Sequence, residues 1–341
     1  MRVFFYLTLI FQLLTCSISL GQDALFTQFN QSPLFLNPAY AGTSPQQRVS
    51  LISRLQWPNL PNAWTTTVLS YDFNYYQLNS GFGAYLYHDA AGSLGWRQTT
   101  VNLVYSYAIT INDSWVLRPG IGFGYGVQNL GNLGSFNGTG SEVNPGLPNV
   151  NVSGSRGFFD FSSGILLYNK SFWLGASIFH FNEPNVAFTD INVDRIDQKL
   201  HIHGGYKFSL YNGTFRRARV PRLAPSFLYR SQGAFDQLDL GVNFEYNPIQ
   251  LGVWYRGVPI FDGILNNRSE DAISFLAGIR FQKLEVGYSY DFTVSSLGPS
   301  AGGAHELSLV YQFVYKSAPK PNRKPIACPS FANSLLDEFK Y

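Results

Sequence analysis

The chain has 341 residues, of which 45% are hydrophobic, 16% aromatic and only 13% charged, and its formal net charge is +3. Soluble globular proteins carry about 25% charged residues, so this composition disfavours a conventional soluble enzyme, and the small net charge gives no reason to expect nucleic acid as a partner. Beyond the first 20 residues, no apolar run approaches the roughly 18 to 20 residues that a membrane-spanning helix needs. Little charge and abundant glycine and aromatic residues, in a chain without such helices, favour a transmembrane β-barrel.

The N-terminus has the pattern of a secretory signal peptide. Arg2 precedes the apolar run 3–14, and the small residues that follow suit cleavage before Gln22. Residues 1–21 are therefore predicted to be removed. Cys328 is then the only cysteine of the mature chain, which excludes an intramolecular disulfide.

Residues 22–47 follow the signal peptide without a long alternating run, and we predict that they form a plug-like periplasmic segment. The predicted strand 115–127 carries four glycines on its inner face, from Gly120 to Gly126. A row of glycines leaves a strip without side chains, where the backbone of the plug segment can approach; a simple bend of the strand explains the glycines equally well. The most distinctive stretch of the plug segment consists of Asn37, Pro38, Ala39, Tyr40, Ala41 and Gly42.

Alternation of apolar and polar residues is the main signal in residues 48–315, which are predicted to form the barrel. In the segment 284–292, apolar residues occupy every second position, and the positions between them carry Glu285, glycine, serine and Asp291. A β-sandwich also alternates, but it would have about half as many strands and no need for Tyr and Phe at the ends of its apolar faces. Fourteen strands are predicted, over residues 48–57, 64–73, 79–88, 97–111, 115–127, 157–168, 171–180, 199–210, 221–231, 236–246, 249–256, 271–281, 284–292 and 304–315.

The even strand number and the connection lengths predict how the barrel is oriented. An even number returns both chain ends to one side of the membrane, as in single-chain bacterial outer-membrane barrels. Short turns, such as 112–114 and 282–283, are expected at the periplasmic side, and long loops at the cell surface. The long, basic connection 211–220 interrupts this rhythm, so its side is left open.

The polar faces of the strands carry charges of both signs, which predicts a lumen of ion pairs around a plug or water. No catalytic, cofactor or metal site is predicted. His201 and His203 share one face but have no third ligand nearby in sequence, so a hydrogen-bonded pair is favoured over a metal site. At the predicted outer rim, His88, Asp89, His180 and Asp190 form no recognisable catalytic arrangement. The predicted luminal residues are Arg54, Asp72, Arg118, His201, His203, Lys207, Arg222, Arg230, Asp239, Glu245, Arg256, Arg280, Glu285, Asp291 and Glu306.

Residues 316–341 follow the last strand as a basic, proline-rich linker and a short apolar cluster. We predict that this periplasmic tail docks onto a partner, with a disordered end as the alternative. The residues predicted to dock are Cys328, Pro329, Phe331, Leu335, Leu336 and Phe339.

Three stretches resemble the PorP/SprF family of type IX secretion system membrane proteins from Bacteroidetes. They are the opening from Phe26 to Gly42, the early strands with Arg54–Trp57 and Trp64–Thr66, and the ending Cys328–Phe331. The resemblance implies a non-enzymatic barrel in the cell outer membrane that supports secretion or cell-surface anchoring of cargo proteins, including the adhesins of gliding bacteria. It implies as partners the outer-membrane lipid, type IX secretion components in the periplasm and the C-terminal domain of a secreted surface protein.

Two other functions remain open at this level. Fourteen strands can enclose a passage, so a passive or hydrophobic-substrate outer-membrane channel is the main alternative. A hydrolase at the outer rim is more remote, because no catalytic arrangement supports it.

Overall fold

A closed antiparallel β-barrel forms the wall of the protein. The computed structural model describes residues 23–44, 47–60, 63–92, 95–131, 154–188, 193–210, 220–257, 272–294, 299–313 and 326–329. No helix in these ranges is long and apolar enough to cross a membrane. The predicted signal peptide, residues 1–21, lies outside the described residues.

The described residues contain sixteen β segments in one sheet. The two-residue strands β5 and β10 continue β4 and β9 beyond Ala108 and Lys207, so the wall has fourteen full strands, as predicted. The segments are β1 (Gln47–Gln56), β2 (Trp64–Tyr75), β3 (Ser80–Ala91), β4 (Trp96–Tyr107), β5 (Ile109–Thr110), β6 (Val116–Leu130), β7 (Ser155–Tyr168), β8 (Phe172–Phe179), β9 (Lys199–Tyr206), β10 (Phe208–Ser209), β11 (Arg222–Gln232), β12 (Phe235–Tyr246), β13 (Ile249–Gly257), β14 (Ala272–Phe281), β15 (Leu284–Thr293) and β16 (Ala304–Phe313).

The barrel closes where its first and last strands meet. β1 and β16 pair over ten residues, from Gln47 opposite Phe313 to Gln56 opposite Ala304. β9 pairs directly with β11, so each full strand is hydrogen-bonded on both sides. Closure leaves no sheet edge in hydrocarbon, where each unpaired backbone group would cost several kcal/mol.

The connections distinguish the two rims. β1 begins and β16 ends at the rim that also holds the short turns 169–171, 247–248 and 282–283, while the opposite rim holds connections as long as 131–154. In bacterial barrels the first rim is periplasmic and the second extracellular. The sequence leaves open on which side the connection between β10 and β11 lies. It joins these strands at the periplasmic rim, because they pair there as neighbours.

The alternation along each strand is confirmed. On β15, Leu284 and Tyr288 are 38% and 46% exposed on the outer face, whereas Glu285 and Asp291 are buried in the lumen. The inner face is less uniformly polar than predicted: buried apolar residues from several strands also point inward. These residues include Ile52, Val68, Val104, Val116, Leu166, Leu228 and Trp254.

The lipid-facing assignment predicts a depth-dependent cost for charge on β13. Val253, in the middle of the strand, is 53% exposed, and Ile249, at its periplasmic end, is 47% exposed on the same face. We expect Val253→Arg to lower the free energy of unfolding by about 2–4 kcal/mol and Ile249→Arg by about 0–1 kcal/mol, because the cost of charge falls towards the interface. Urea titrations of the barrel folded into lipid bilayers measure both values, and equal costs would contradict the assignment.

Candidate functional site

The N-terminal segment of residues 23–44 fills the lumen. It consists of three short turns of helix: the 3-10 turn Phe29–Gln31, the α-helical turn Pro33–Leu36 and the 3-10 turn Pro38–Tyr40. Proline suits the first turn of a helix, where its missing N–H leaves no hydrogen bond unmade. Pro38 also holds Asn37 in an extended conformation, with φ −160° and ψ 123°, so the helix of Pro33–Leu36 ends before it.

The contacts of this plug segment trace its path through the barrel. Asp23 lies at the extracellular end, where its backbone N–H donates to Gln232 of β11. Gln31 reaches the periplasmic end, where its side chain donates to Glu285 at 2.6 Å. The chain then turns back towards the extracellular end of the wall and returns to the periplasmic rim at Gly42. The plug segment therefore runs the length of the lumen, further than the periplasmic mouth to which the sequence assigned it.

Asn37 fixes the centre of the plug segment to the wall. Its Oδ1 accepts from the backbone N–H of Ala39 at 2.8 Å, and its Nδ2 donates to the carbonyl oxygens of Ile165 on β7 and Ala176 on β8 at 3.2 and 3.1 Å. The side chain is fully buried. A single amide thus joins the plug segment to two neighbouring strands.

The two histidines of β9 bind the plug segment. His203 lies with Nε2 3.2 Å from the Asn37 amide and with Nδ1 3.3 Å from the Tyr40 hydroxyl. His201 Nδ1 donates to the carbonyl oxygen of Leu36 at 2.9 Å. Both histidines are thus hydrogen-bonded to the plug segment. Among the described residues, no group of three or more His, Cys, Asp or Glu is placed to hold a metal ion.

Glycines of several strands make room for the plug segment. A Cβ on Gly81 would collide with the carbonyl oxygen of Ala41, and a Cβ on Gly120 would lie 2.5 Å from the backbone nitrogen of Ala39. Gly164 on β7 faces the Asn37 side chain in the same way. The predicted strip along β6 is wrong in part: of its four glycines only Gly120 has the plug segment as its nearest neighbour. The other three, Gly122, Gly124 and Gly126, face side chains of the wall.

Gly42 ends the Asn37–Gly42 motif in a conformation that favours glycine, with φ +64°. Its N–H donates to Asp72 Oδ2 at 2.9 Å, and its carbonyl oxygen accepts from Arg118 at 2.9 Å. Arg118 is 1% exposed and also donates to Ser106 at 2.9 Å. The plug segment is thus fastened at Gly42, near the periplasmic rim, by charged residues of the wall.

A second charged cluster holds Thr27 in the extracellular half of the lumen. The N–H of Thr27 donates to Glu306 at 2.7 Å and its hydroxyl donates to Asp291 at 2.7 Å. Arg54 forms ion pairs with both carboxylates, and Arg256 pairs with Asp291 at 3.0 Å. The prediction of an ion-paired lumen is confirmed. Removing one partner from such a buried pair costs about 3–5 kcal/mol, because a buried charge is left uncompensated.

The extracellular end of the plug segment is held by a third charged cluster. Asp23 forms ion pairs with His180, at 2.8 Å, and with Lys199, and the other ring nitrogen of His180 lies 3.0 Å from Asp160. Burial alone would raise the pKa of Asp23, but Lys199 and His180 hold it well below its usual range. Burial opposes the charge on His180, yet Asp23 and Asp160 raise its pKa to about 9.

The candidate catalytic residues at the outer rim are not brought together. Asp89 points into the lumen, where it accepts hydrogen bonds from Trp64 at 2.6 Å and Thr66 at 2.7 Å. His88 points to the other face of β3 and bonds to Thr99 at 2.9 Å. His180 anchors the plug segment, and Asp190 lies outside the described residues.

The predicted docking tail is partly used by the barrel itself. Cys328 is 1% exposed and belongs to an apolar cluster with residues of the plug segment and of the wall, and Pro329 is also buried. The sequence assigns these two residues to docking onto a partner, and in this structure they are buried against the barrel. The other predicted docking residues, Phe331, Leu335, Leu336 and Phe339, lie outside the described residues.

Comparison with known families decides which proteins this barrel is related to. The model of the type IX secretion system membrane protein family PorP/SprF matches residues 18–311. The chain belongs to this family. The family and the closed barrel of this chain together make it a barrel of the outer membrane.

Several solved structures of membrane proteins are similar to the chain at low sequence identity. The toluene transporter TbuX of Ralstonia pickettii has a TM-score of 0.48 and 11% identity over 84% of this chain and 94% of its own. The toluene transporter TodX of P. putida has a TM-score of 0.46 and 12% identity over the same shares. Omp33 of Acinetobacter baumannii has a TM-score of 0.42 and 9% identity over 80% of this chain and 100% of its own. None of the curated proteins compared with the chain matches it.

The glycine contacts predict that one methyl group displaces the plug segment. In Gly120→Ala the new Cβ meets the backbone of Ala39, which cannot move aside without shifting the whole motif. In the control Gly122→Ala, on the same strand and face, it meets the end of the Ser162 side chain, which can rotate away. We expect limited proteolysis to cleave residues 23–44 in the first variant only. Equal protection in both would contradict the packing.

The Asp23–His180 cluster predicts a pH dependence. Because folding raises the pKa of His180 from 6.5 to about 9, its contribution to stability is complete below about 6.5 and is lost as the pH rises through 9. The contribution of Asp23, whose pKa is lowered, is lost only on acidification below its usual value of 3.8. The difference in unfolding midpoint between the wild type and His180→Gln should therefore shrink from pH 6 to pH 9.5. A difference that stays constant over this range would contradict the charged cluster.

Proposed function

We propose that the protein is a non-enzymatic accessory barrel of the type IX secretion system, which supports secretion or cell-surface anchoring of cargo proteins without conducting them through its lumen. The observation that carries this proposal is the plug segment, which is tied to the wall at its extracellular end, its centre and its periplasmic end. Membership of the PorP/SprF family supplies the link to type IX secretion.

The lumen leaves little space for a passing chain. A cavity beside the plug segment, lined by Gln31, Lys207 and Trp254 among others, has a volume of about 50 Å³, enough for a few water molecules at most. A polypeptide would pass only if the plug segment left its place, and that would expose the charged clusters around Thr27 and Asp23. The barrel therefore serves better as a rigid platform in the membrane.

An extracellular loop offers a contact surface for cargo. In the connection between β8 and β9, the N–H of Val186 donates to the carbonyl oxygen of Asp194 at 2.7 Å, and Asn185 bridges to Arg195. On this ordered part, Phe181 and Val193 are 64% and 69% exposed. Exposed apolar side chains on an ordered loop suit binding to another protein. The proposed partner is the C-terminal domain of a secreted surface protein, such as an adhesin of gliding bacteria.

The periplasmic partners are proposed to be other type IX secretion components. They would contact the periplasmic rim and the tail beyond Pro329, whose apolar residues are predicted from the sequence to dock onto a partner.

Surface display of cargo tests the proposal in a strain that lacks the barrel. Intact cells complemented with the wild type should expose protease-sensitive cargo, and cells complemented with Val193→Asp should expose about tenfold less, as expected when about 1.4 kcal/mol of binding energy is lost. The control Val294→Asp changes a valine that is 55% exposed beyond the extracellular end of β15 and should behave as wild type. The amount of barrel in the outer membrane is measured in each strain.

Conductance separates this function from the channel alternative. The purified wild type should be silent in planar bilayers, because the plug segment fills the lumen. A stable open conductance, together with cargo display that does not depend on the barrel, would overturn the proposal and favour a passive or hydrophobic-substrate channel.

A further inference from the structure

The C-terminal residues Ile326–Pro329 lie at the periplasmic mouth of the barrel. Cys328 belongs to one buried cluster with Val116 at the start of β6, Tyr168 at the end of β7 and Trp173 near the start of β8, and Ile326 packs against this cluster. All three wall residues are at the periplasmic rim. The tail therefore returns to the barrel that it has just left.

The same cluster contains the plug segment. Phe29, Leu36, Ala39 and Tyr40 are members, and the last two are fully buried. The short stretch of tail thus belongs to the same buried cluster as Ala39 and Tyr40 of the Asn37–Gly42 motif.

The tail reaches this position from the far side of the barrel. The last strand, β16, ends at Phe313, and the strands β1, β2, β3, β4 and β6 lie between it and β7. Fourteen strands, spaced about 4.8 Å apart and tilted by about 40°, enclose a barrel about 25–30 Å wide. The twelve residues 314–325 can reach about 40 Å when extended, which is enough to cross it.

From this placement we infer that Ile326–Pro329 is a latch, which fastens the C-terminal tail across the periplasmic mouth and holds the plug segment in place from the periplasmic side. The latch and the plug segment stabilise each other, because each covers apolar surface that the other would leave exposed to water. A partner that pulls on the tail beyond Pro329 would act on the plug segment through this shared core.

The reactivity of the Cys328 thiol reports whether this latch is closed or open. It is the only cysteine after Cys16, so the processed chain carries a single thiol. A buried thiol reacts only after local opening. The probe is a maleimide attached to polyethylene glycol, applied to the purified mature protein in lipid vesicles with the periplasmic rim accessible.

The reference is Leu78→Cys in a Cys328→Ser background, because Leu78 is 59% exposed on the periplasmic turn between β2 and β3. The wild-type thiol should react at least about tenfold more slowly than this reference, which corresponds to an opening equilibrium that is unfavourable by about 1.4 kcal/mol or more. Ile326→Asp, which changes only the tail, should bring the rate close to that of the reference. Mobility on unheated gels, which reports the folded barrel, should be unchanged.

Coupling to the plug segment is measured with Gly120→Ala. If the new methyl group displaces the plug segment, Cys328 should be labelled faster, although residue 120 lies on the wall and the tail is intact. The latch is overturned if the wild-type thiol reacts as fast as the reference, or if Ile326→Asp leaves its rate unchanged. The coupling is overturned if Gly120→Ala makes residues 23–44 sensitive to protease while Cys328 stays protected.

Discussion

A strand that crosses hydrocarbon must satisfy every backbone N–H and C=O group within the protein, and no water is available to complete the set. The ladder between β1 and β16 meets this requirement by joining the two ends of the sheet. Closure creates an interior that is about as wide as a small protein core, and that interior must in turn be filled or wetted. The plug segment fills it with residues from the same chain.

Filling the lumen with its own chain solves an electrostatic problem. The inner faces carry Arg54, Arg118 and Arg256 together with Asp291 and Glu306, all nearly inaccessible to water. Charges in such surroundings are tolerated only when they are paired and hydrogen-bonded. Thr27 and Gly42 provide donors and acceptors for these charged groups, so the plug segment and the wall depend on each other. An open, water-filled channel would hydrate these charged groups instead.

Much of the wall follows from local pattern, because alternation has a period of two residues and depends only on neighbours in sequence. This is why Leu284 and Glu285 were assigned to the correct faces from sequence alone. Buried apolar residues such as Ile52 and Val68 on the inner face were not predicted, because apolar patches in the lumen become favourable only where the plug segment covers them. Among the glycines, Gly120 is predicted from the strip on its own strand, but Gly81 and Gly164 are not. They receive the same segment because strand register brings them to the same region, and register is not visible in a single strand. The latch at Cys328 depends on contacts across about 155 to 160 residues of chain, to Tyr168 and Trp173, and no local signal predicts these.

The position of the plug segment also constrains the order in which the barrel is assembled. Residues 23–44 lead directly into β1, which is one side of the β1–β16 seam. Once the seam has formed, the segment has no lateral way into the lumen, since the wall is hydrogen-bonded all round. It enters either before closure, from the inner side of the curling sheet, or afterwards through an open end of the barrel. Because Asn37 bonds to both β7 and β8, the segment is fastened only once these two strands lie side by side, so its anchorage and the formation of the wall are linked.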